Sequence, residues 1–113
     1  MTIQDFMDLT GASLVTPEAD LSREITCGYS CDLLRWVMSH GAAGMAWITV
    51  QTHMNVLAVA TLMDMAAVIA PEGISFEQDV VDKAQEEGIA LLQSPKTAYT
   101  LCGMMYAAGV KGD

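Results

Sequence analysis

Basic side chains are scarce in this sequence. Five lysines and arginines stand against fourteen aspartates and glutamates, so the formal net charge at neutral pH is −9. A surface this acidic repels phosphate backbones and anionic lipid headgroups. Nucleic acid and membrane surfaces are therefore not expected among the partners of this protein.

Long apolar stretches and export signals are also lacking. The longest apolar run, residues 54–70, is interrupted by Asn55 and Asp64, whereas a membrane-spanning helix needs about 20 predominantly apolar residues. Residues 1–5 lack the basic and apolar regions of a signal peptide. These features predict a cytoplasmic protein.

Cysteines are few as well. There are three, and without an export signal they favour reduced thiols over a disulfide framework. Cys27 and Cys31 could form a metal site with a histidine, but on an extended strand they lie roughly 13 Å apart. That is too far for both sulfurs to bind one zinc ion at about 2.3 Å, although a turn at Gly28 would weaken the objection. We expect no metal, no disulfide and no cofactor.

Motifs that mark catalytic or nucleotide-binding centres are missing. The sequence contains no Walker loop, no G-x-G-x-x-G after a predicted strand and no G-x-S-x-G nucleophile elbow. Ser30, Asp32 and His53 could be drawn as a hydrolase triad, but triads are recognised by geometry. The simpler interpretation is that Asp32 caps a following helix. We therefore expect a protein that is not an enzyme.

The apolar residues follow a regular pattern along the second half of the chain. The 113 residues, of which 52% are apolar, suffice for one domain with a real core. Continuous apolar runs typical of doubly buried strands occur at residues 45–50, 66–70 and 89–93. Helical patterns follow them at residues 52–65, 75–87 and 94–109. This alternation predicts an α/β fold with three layers, α/β/α, and a mainly parallel central sheet.

The first forty residues extend this pattern. Thr2 and Asp5 loosely resemble a capping box for a helix that ends at Gly11. Strands are predicted over residues 12–16 and 24–32, and a helix over 33–40. Further along the chain, Ser75 is expected to cap the helix over 75–87.

Several ordered segments resemble the DRTGG domain family, and together they extend over nearly the whole chain. They are Gly28-Tyr29-Ser30-Cys31-Asp32-Leu33-Leu34, Trp47-Ile48-Thr49-Val50-Gln51-Thr52-His53-Met54-Asn55, Ala67-Val68-Ile69, Ala84 with Gly88-Ile89, and Ser94-Pro95 with Thr97. The five-letter string that names the family does not occur. The chain therefore resembles a divergent, stand-alone member.

The resemblance implies one DRTGG-like domain over residues 1–113, with a fold similar to the N-terminal domain of HPr kinase/phosphorylase. It also implies a non-catalytic accessory domain that is often dimeric. Members of the family stand beside CBS domains in regulated pyrophosphatases and occur in some phosphotransacetylases. The family has no agreed catalytic residues to carry over to this chain.

The best candidate for a ligand site lies where two predicted strands end and helices begin, in segments 49–55 and 93–97. In open α/β sheets, ligands bind beyond the carboxyl ends of the strands. A helix N-terminus there offers free N–H groups and a partial positive charge, and Lys96 adds a basic group. The candidate ligand-binding residues are Thr49, Gln51, Thr52, His53, Asn55, Ser94, Lys96 and Thr97.

These residues allow two functions. They could bind a nucleotide or another small anion, with His53 adding positive charge when it is protonated, which would make the protein a ligand-sensing regulatory domain. Alternatively, their hydroxyl and amide groups merely cap helices, and the protein is a scaffold for dimerisation or for a protein partner. The helix over 52–65 is apolar nearly all round and needs two burial partners. We therefore expect a homodimer.

Overall fold

The computed structural model describes residues 1–112, which form five strands and five helices. The strands are β1 (Ser13–Leu14), β2 (Cys27–Ser30), β3 (Met45–Ile48), β4 (Ala67–Ala70) and β5 (Ala90–Gln93). The helices are α1 (Ile3–Thr10), α2 (Leu34–His40), α3 (Met54–Leu62), α4 (Gln78–Glu87) and α5 (Ala98–Ala107). No helix within residues 1–112 is long and apolar enough to cross a membrane.

One sheet joins all the strands in the order β1-β5-β4-β3-β2. Strands β2 to β5 run parallel, and only the two-residue edge strand β1 is antiparallel to its neighbour β5. β1 is shorter than the predicted strand over 12–16 because the Thr16 hydroxyl, and not its backbone, accepts the hydrogen bond from Leu91 N at 3.1 Å. The predicted mainly parallel sheet is confirmed.

The sheet lies between two helical layers, as the alternating pattern predicts. Alternate strand residues point to opposite sides, so the aligned residues Tyr29, Trp47, Val68 and Leu91 face one layer. That layer consists of α2, α3 and α4, while α1 and α5 cover the other side of the sheet. Every residue of β3 and β4 is buried, because helices cover both sides of these central strands. The three-layer α/β/α prediction is confirmed.

Helix α1 begins with the predicted capping box. Asp5 N donates to the Thr2 hydroxyl at 3.0 Å, and Thr2 N donates to the Asp5 carboxylate at 3.0 Å. Hydrogen bonding of the Asp5 carboxylate to the Thr2 backbone N–H, and secondarily to the Thr2 side chain, lowers the pKa of the Asp5 carboxyl. Gly11 ends the helix in the left-handed conformation with a φ of 75°, which costs glycine little.

Boundaries of two other helices differ from those predicted. Ser75 does not cap α4, whose N-cap is Glu77. The residue before Glu77 makes other contacts: Phe76 is buried, and its N–H donates to Gln93 Oε1 at 3.2 Å. Helix α3 is shorter than the predicted 52–65 and ends at Leu62, shortly before Asp64 adopts a positive φ of 54°.

The start of β3 yields a stability prediction. Gly44 has a φ of +78°, and a Cβ there would meet the Thr26 side chain at 2.6 Å, whereas Gly11 has a φ of +75° and open space around it. We expect Gly11→Ala to lower the free energy of unfolding by about 1–2 kcal/mol from backbone strain. Gly44→Ala should cost a further ~1–3 kcal/mol from the clash. Urea denaturation measures both, and equal losses would contradict the close contact.

Candidate functional site

The carboxyl ends of β2, β3, β4 and β5 lie at one edge of the sheet, because these strands are parallel and adjacent. Both predicted segments, 49–55 and 93–97, follow strands that end there. β4 lies between β3 and β5, so the two segments are two strand spacings apart, or about 10 Å. The edge therefore holds two polar groups and not one continuous cluster.

Asp32 organises the first group. Its carboxylate Oδ1 accepts hydrogen bonds from Thr49 Oγ1 at 2.8 Å and from Val50 N at 2.9 Å. The prediction that Asp32 caps α2 is wrong, since the N-cap is Leu33 and no side chain caps it. The carboxylate reaches instead to the end of the neighbouring strand β3. A bond from a backbone N–H to a charged acceptor is stronger than one between neutral groups.

Thr49 and Gln51 are tied into this arrangement. The Thr49 hydroxyl, which is buried, also accepts from Gln51 N at 3.2 Å, and Gln51 Nε2 donates to the Asp32 carbonyl at 3.3 Å. Both side chains thus fix the turn between β3 and α3. This role of Asp32 was not predicted from the sequence, although a carboxylate two residues after the end of β2, the strand next to β3, was a usable signal.

Beyond this turn, α3 begins without a side-chain cap. Its N-cap is His53, which forms no side-chain hydrogen bond to the first turn. The alternative that Thr52 and Asn55 cap this helix is therefore not observed; Thr52 is half-buried and Asn55 is exposed. The first N–H groups of a helix have no partners within the helix. Here Val56 N donates to the His53 carbonyl at 3.0 Å, whereas Met54 N and Asn55 N have no hydrogen-bond partner among residues 1–112.

The second group surrounds the start of α5. The Thr97 hydroxyl accepts from Thr100 N at 3.2 Å, which confirms the capping alternative for this residue. The buried Ser94 hydroxyl accepts from Lys96 N at 3.1 Å. Helix α5 begins at Ala98, later than the predicted start at residue 94. The Lys96 side chain is half-buried at this turn.

The loop after β4 contacts the second group directly. Glu72 N donates to the Lys96 carbonyl at 2.8 Å, and Gly73 N donates to the Ser94 carbonyl at 2.9 Å. Glu72 and Gly73 both have positive φ, 58° and 72°. This left-handed turn stands between the two groups. One phosphate group could contact either of them, and only a longer ligand could contact both.

A cavity of about 270 Å³ lies elsewhere, between β2 and α5, where Ser30, Cys102, Met105 and Tyr106 form part of its wall. Burial raises the pKa of the Cys102 thiol, and a hydrogen bond with Ser30 only opposes this shift. A raised pKa leaves less thiolate and a weaker nucleophile. Cys102 is half-buried on α5 and packs against the core on that side of the sheet.

The two remaining cysteines lie along β2 and its exit. Cys27 is buried in the core, and Cys31, half-buried, follows the end of the strand. Within residues 1–112, no group of three or more histidine, cysteine, aspartate or glutamate side chains is arranged to hold a metal ion. Ser30, Asp32 and His53 are not joined by hydrogen bonds among residues 1–112, and Asp32 Oδ1 accepts instead from Thr49 and Val50.

Comparison with protein families and with curated proteins finds no match for this chain. A solved structure does match: the CBS and DRTGG domains of the regulatory region of a Clostridium perfringens pyrophosphatase, complexed with its activator diadenosine tetraphosphate. The TM-score is 0.75 at 11% sequence identity. The match covers 92% of this chain and 45% of that one, so this chain spans less than half of its length. The likeness shows a shared fold; the similarity to HPr kinase/phosphorylase stays a prediction.

The bonds of Asp32 predict a selective effect on stability. Asp32→Ala leaves Val50 N and the buried Thr49 hydroxyl without their acceptor, which should lower the free energy of unfolding by about 1–2 kcal/mol. Asp8→Ala, at an exposed position on α1, removes only a bond from the Gln4 side chain and should cost less than about 0.5 kcal/mol. Urea denaturation of both variants measures the difference. Equal small losses would mean that water replaces Asp32 at no cost.

Proposed function

We propose that residues 1–113 act as one DRTGG-like regulatory domain that is not an enzyme and that senses a small ligand at the carboxyl edge of the sheet. The ligand class is a nucleotide or another small anion. The contact groups are those of segments 49–55 and 93–97. Within them, the first turn of α3 and the Lys96 side chain carry the recognition.

The observation that carries this proposal is the open start of α3. The helix has nine residues, its N-cap side chain makes no bond to the first turn, and Thr52, His53 and Asn55 place polar side chains at its start. Backbone N–H groups and the helix dipole favour an anion at such a position. At α5, by contrast, Thr97 already occupies the equivalent position.

Lys96 is a rare basic side chain on an acidic protein, and its position therefore bears on where an anion could bind. With a net charge of −9, most of the surface discourages anions. Lys96 places one of five basic residues at the same edge as the open start of α3. A ligand that is long enough to pass the end of β4 could contact both, as a nucleotide could and inorganic phosphate could not.

The comparison supports a regulatory role of this kind. The C. perfringens structure with the shared fold is a regulatory region complexed with diadenosine tetraphosphate, a nucleotide activator. A regulatory domain needs a binding site and a coupled partner, and it needs no catalytic residues. The absence of catalytic motifs from the sequence is consistent with that role.

A scaffold for dimerisation or for a protein partner is the second candidate. The exposed side of α3 favours it, because Leu62 is 69% exposed and Met54 39% exposed on a helix without charged residues. Exposed apolar patches commonly mark interaction sites. A scaffold of this kind would bind no small ligand at the sheet edge, which makes the two candidates separable.

The proposal predicts that a nucleotide binds to the protein and that Lys96 contributes to its affinity. Thermal-shift measurements with AMP, ATP, diadenosine tetraphosphate and inorganic phosphate should find at least one nucleotide that raises Tm by mass action. Lys96→Ala should then weaken binding of that nucleotide by roughly 10- to 150-fold, since one charge-assisted hydrogen bond is lost.

Lys83→Ala is the matched control, because Lys83 is paired with Glu86 and Glu87 on α4, away from the sheet edge. Its affinity for the nucleotide should equal that of the unchanged protein. If no compound shifts Tm at millimolar concentration, the scaffold is favoured. Equal losses of affinity in Lys96→Ala and Lys83→Ala would mean that positive charge attracts the nucleotide without a specific site.

Asn55→Asp separates ligand binding from capping. A carboxylate in the uncapped first turn of α3 should raise the free energy of unfolding by about 0.3–1 kcal/mol through the helix dipole. The same carboxylate should weaken nucleotide binding, because it takes the place of the anion. Calorimetric titration together with denaturation measures both effects. A more stable variant that binds the nucleotide as well as before would contradict a site at this turn.

A further inference from the structure

The outward surface of the α2–α3–α4 layer has an apolar ridge along its middle. Helix α3 packs between α2 and α4, and its outward side carries Met54, Ala58 and Leu62, all exposed. These residues are spaced four apart and therefore form one stripe along the helix. We name Met54, Ala58 and Leu62 the α3 ridge.

A groove runs along each side of this ridge. The groove toward α2 has a volume of about 300 Å³, with Leu34 and Met38 in its wall. The groove toward α4 has about 330 Å³, with Lys83 and Glu87 in its wall. Helices associate by packing ridges into grooves. A surface with both features can receive a second copy of itself.

The charges on the two flanking helices have opposite character. Helix α2 carries Arg35 and His40 and no acidic residue. Helix α4 carries four acidic residues and one lysine. The ridge between them is uncharged, although the chain as a whole has a net charge of −9.

We propose that this surface binds a second copy of the chain, with the two α3 helices parallel across a two-fold axis. An axis along α3 places α2 of one copy opposite α4 of the other, so that unlike charges meet twice. An axis across α3 would instead place α4 against α4, and the acidic residues would repel. Like charges across an interface are costly, and complementary charges fix the orientation.

A second copy fits this surface better than an unrelated partner. A two-fold interface must be self-complementary, and here one chain supplies both the basic and the acidic flank. The molecule measures 33 × 29 × 25 Å, so one helix-covered side can provide the roughly 800 Å² per partner of a stable interface. This inference concerns assembly and does not depend on whether the sheet edge binds a nucleotide.

Analytical ultracentrifugation of matched variants tests the surface. The unchanged chain should sediment as a dimer at micromolar concentration, and Leu62→Lys should weaken the dimer by on the order of 100-fold or more, because each dimer contains two altered contacts. The control is Leu9→Lys, the same substitution at an exposed site on α1, on the opposite side of the sheet. It should remain dimeric.

Ala58→Glu, in the middle of the ridge, is the second variant and should also give a monomer. Thermal melting checks that each variant is folded, which is expected since Leu62 and Ala58 are exposed. A monomeric unchanged chain would overturn the proposal. So would dissociation by Leu9→Lys, or a dimer that persists in both ridge variants.

A second comparison tests the parallel orientation. Asp82 on α4 and Asp8 on α1 each accept a hydrogen bond from a glutamine four residues earlier, at 2.9 and 3.0 Å. Asp82→Asn and Asp8→Asn therefore change charge and local bonding alike. Parallel packing predicts that Asp82→Asn gives a dimer about two- to tenfold weaker than Asp8→Asn. An equal or tighter dimer would overturn the parallel orientation.

Discussion

Neighbouring parallel strands need a crossover helix, and such crossovers are almost always right-handed. In this chain the strands from β2 to β5 succeed one another in a single direction across the sheet. All three crossover helices must then lie on the same side, and α2, α3 and α4 do. This constraint decides the rest of the architecture. It leaves the other side to α1 and α5, and it makes α3 the middle helix of its layer.

The middle position explains both properties of α3. Its inner side packs against the sheet through Val56, Leu57 and Ala60, while neighbouring helices confine it on two flanks. Its N-terminus lies at the carboxyl edge because the helix follows a parallel strand directly. Its outward side is the centre of a three-helix surface. One helix thus contributes to the proposed ligand site at its end and to the proposed dimer surface along its length.

Polar groups at the sheet edge are divided between structural and open roles. Asp32, Thr49 and Gln51 bond to one another and hold the exit of β3. Thr97 and Ser94 are used by the backbone at the start of α5. What remains open is the first turn of α3 and the half-buried Lys96. A ligand at this edge would therefore meet few side chains and several backbone donors, an arrangement that suits phosphate oxygens.

The three layers of the fold could be predicted from the sequence better than the hydrogen bonds at the carboxyl edge of the sheet. The continuous apolar runs around Trp47, Val68 and Leu91 predicted the central strands, because a strand buried on both sides has no polar alternation. The prediction that Asp32 caps a helix failed, since its partners Thr49 and Val50 follow the end of β3, seventeen and eighteen residues later in the chain. The prediction that Ser75 caps α4 failed for a similar reason, because Gln93 on β5 accepts a hydrogen bond from the N–H of the neighbouring Phe76. Local propensity cannot anticipate such non-local hydrogen bonds.

The central claim is that a small anion binds at the open start of α3, and an amide chemical-shift titration tests it most directly. With ¹⁵N-labelled protein and diadenosine tetraphosphate or AMP, the account predicts saturable shifts of the Met54, Asn55 and Lys96 amides. The amides of α4 and of the cavity beside Cys102 should stay in place. Saturable shifts confined to that cavity, or no shifts at millimolar nucleotide, would contradict the account.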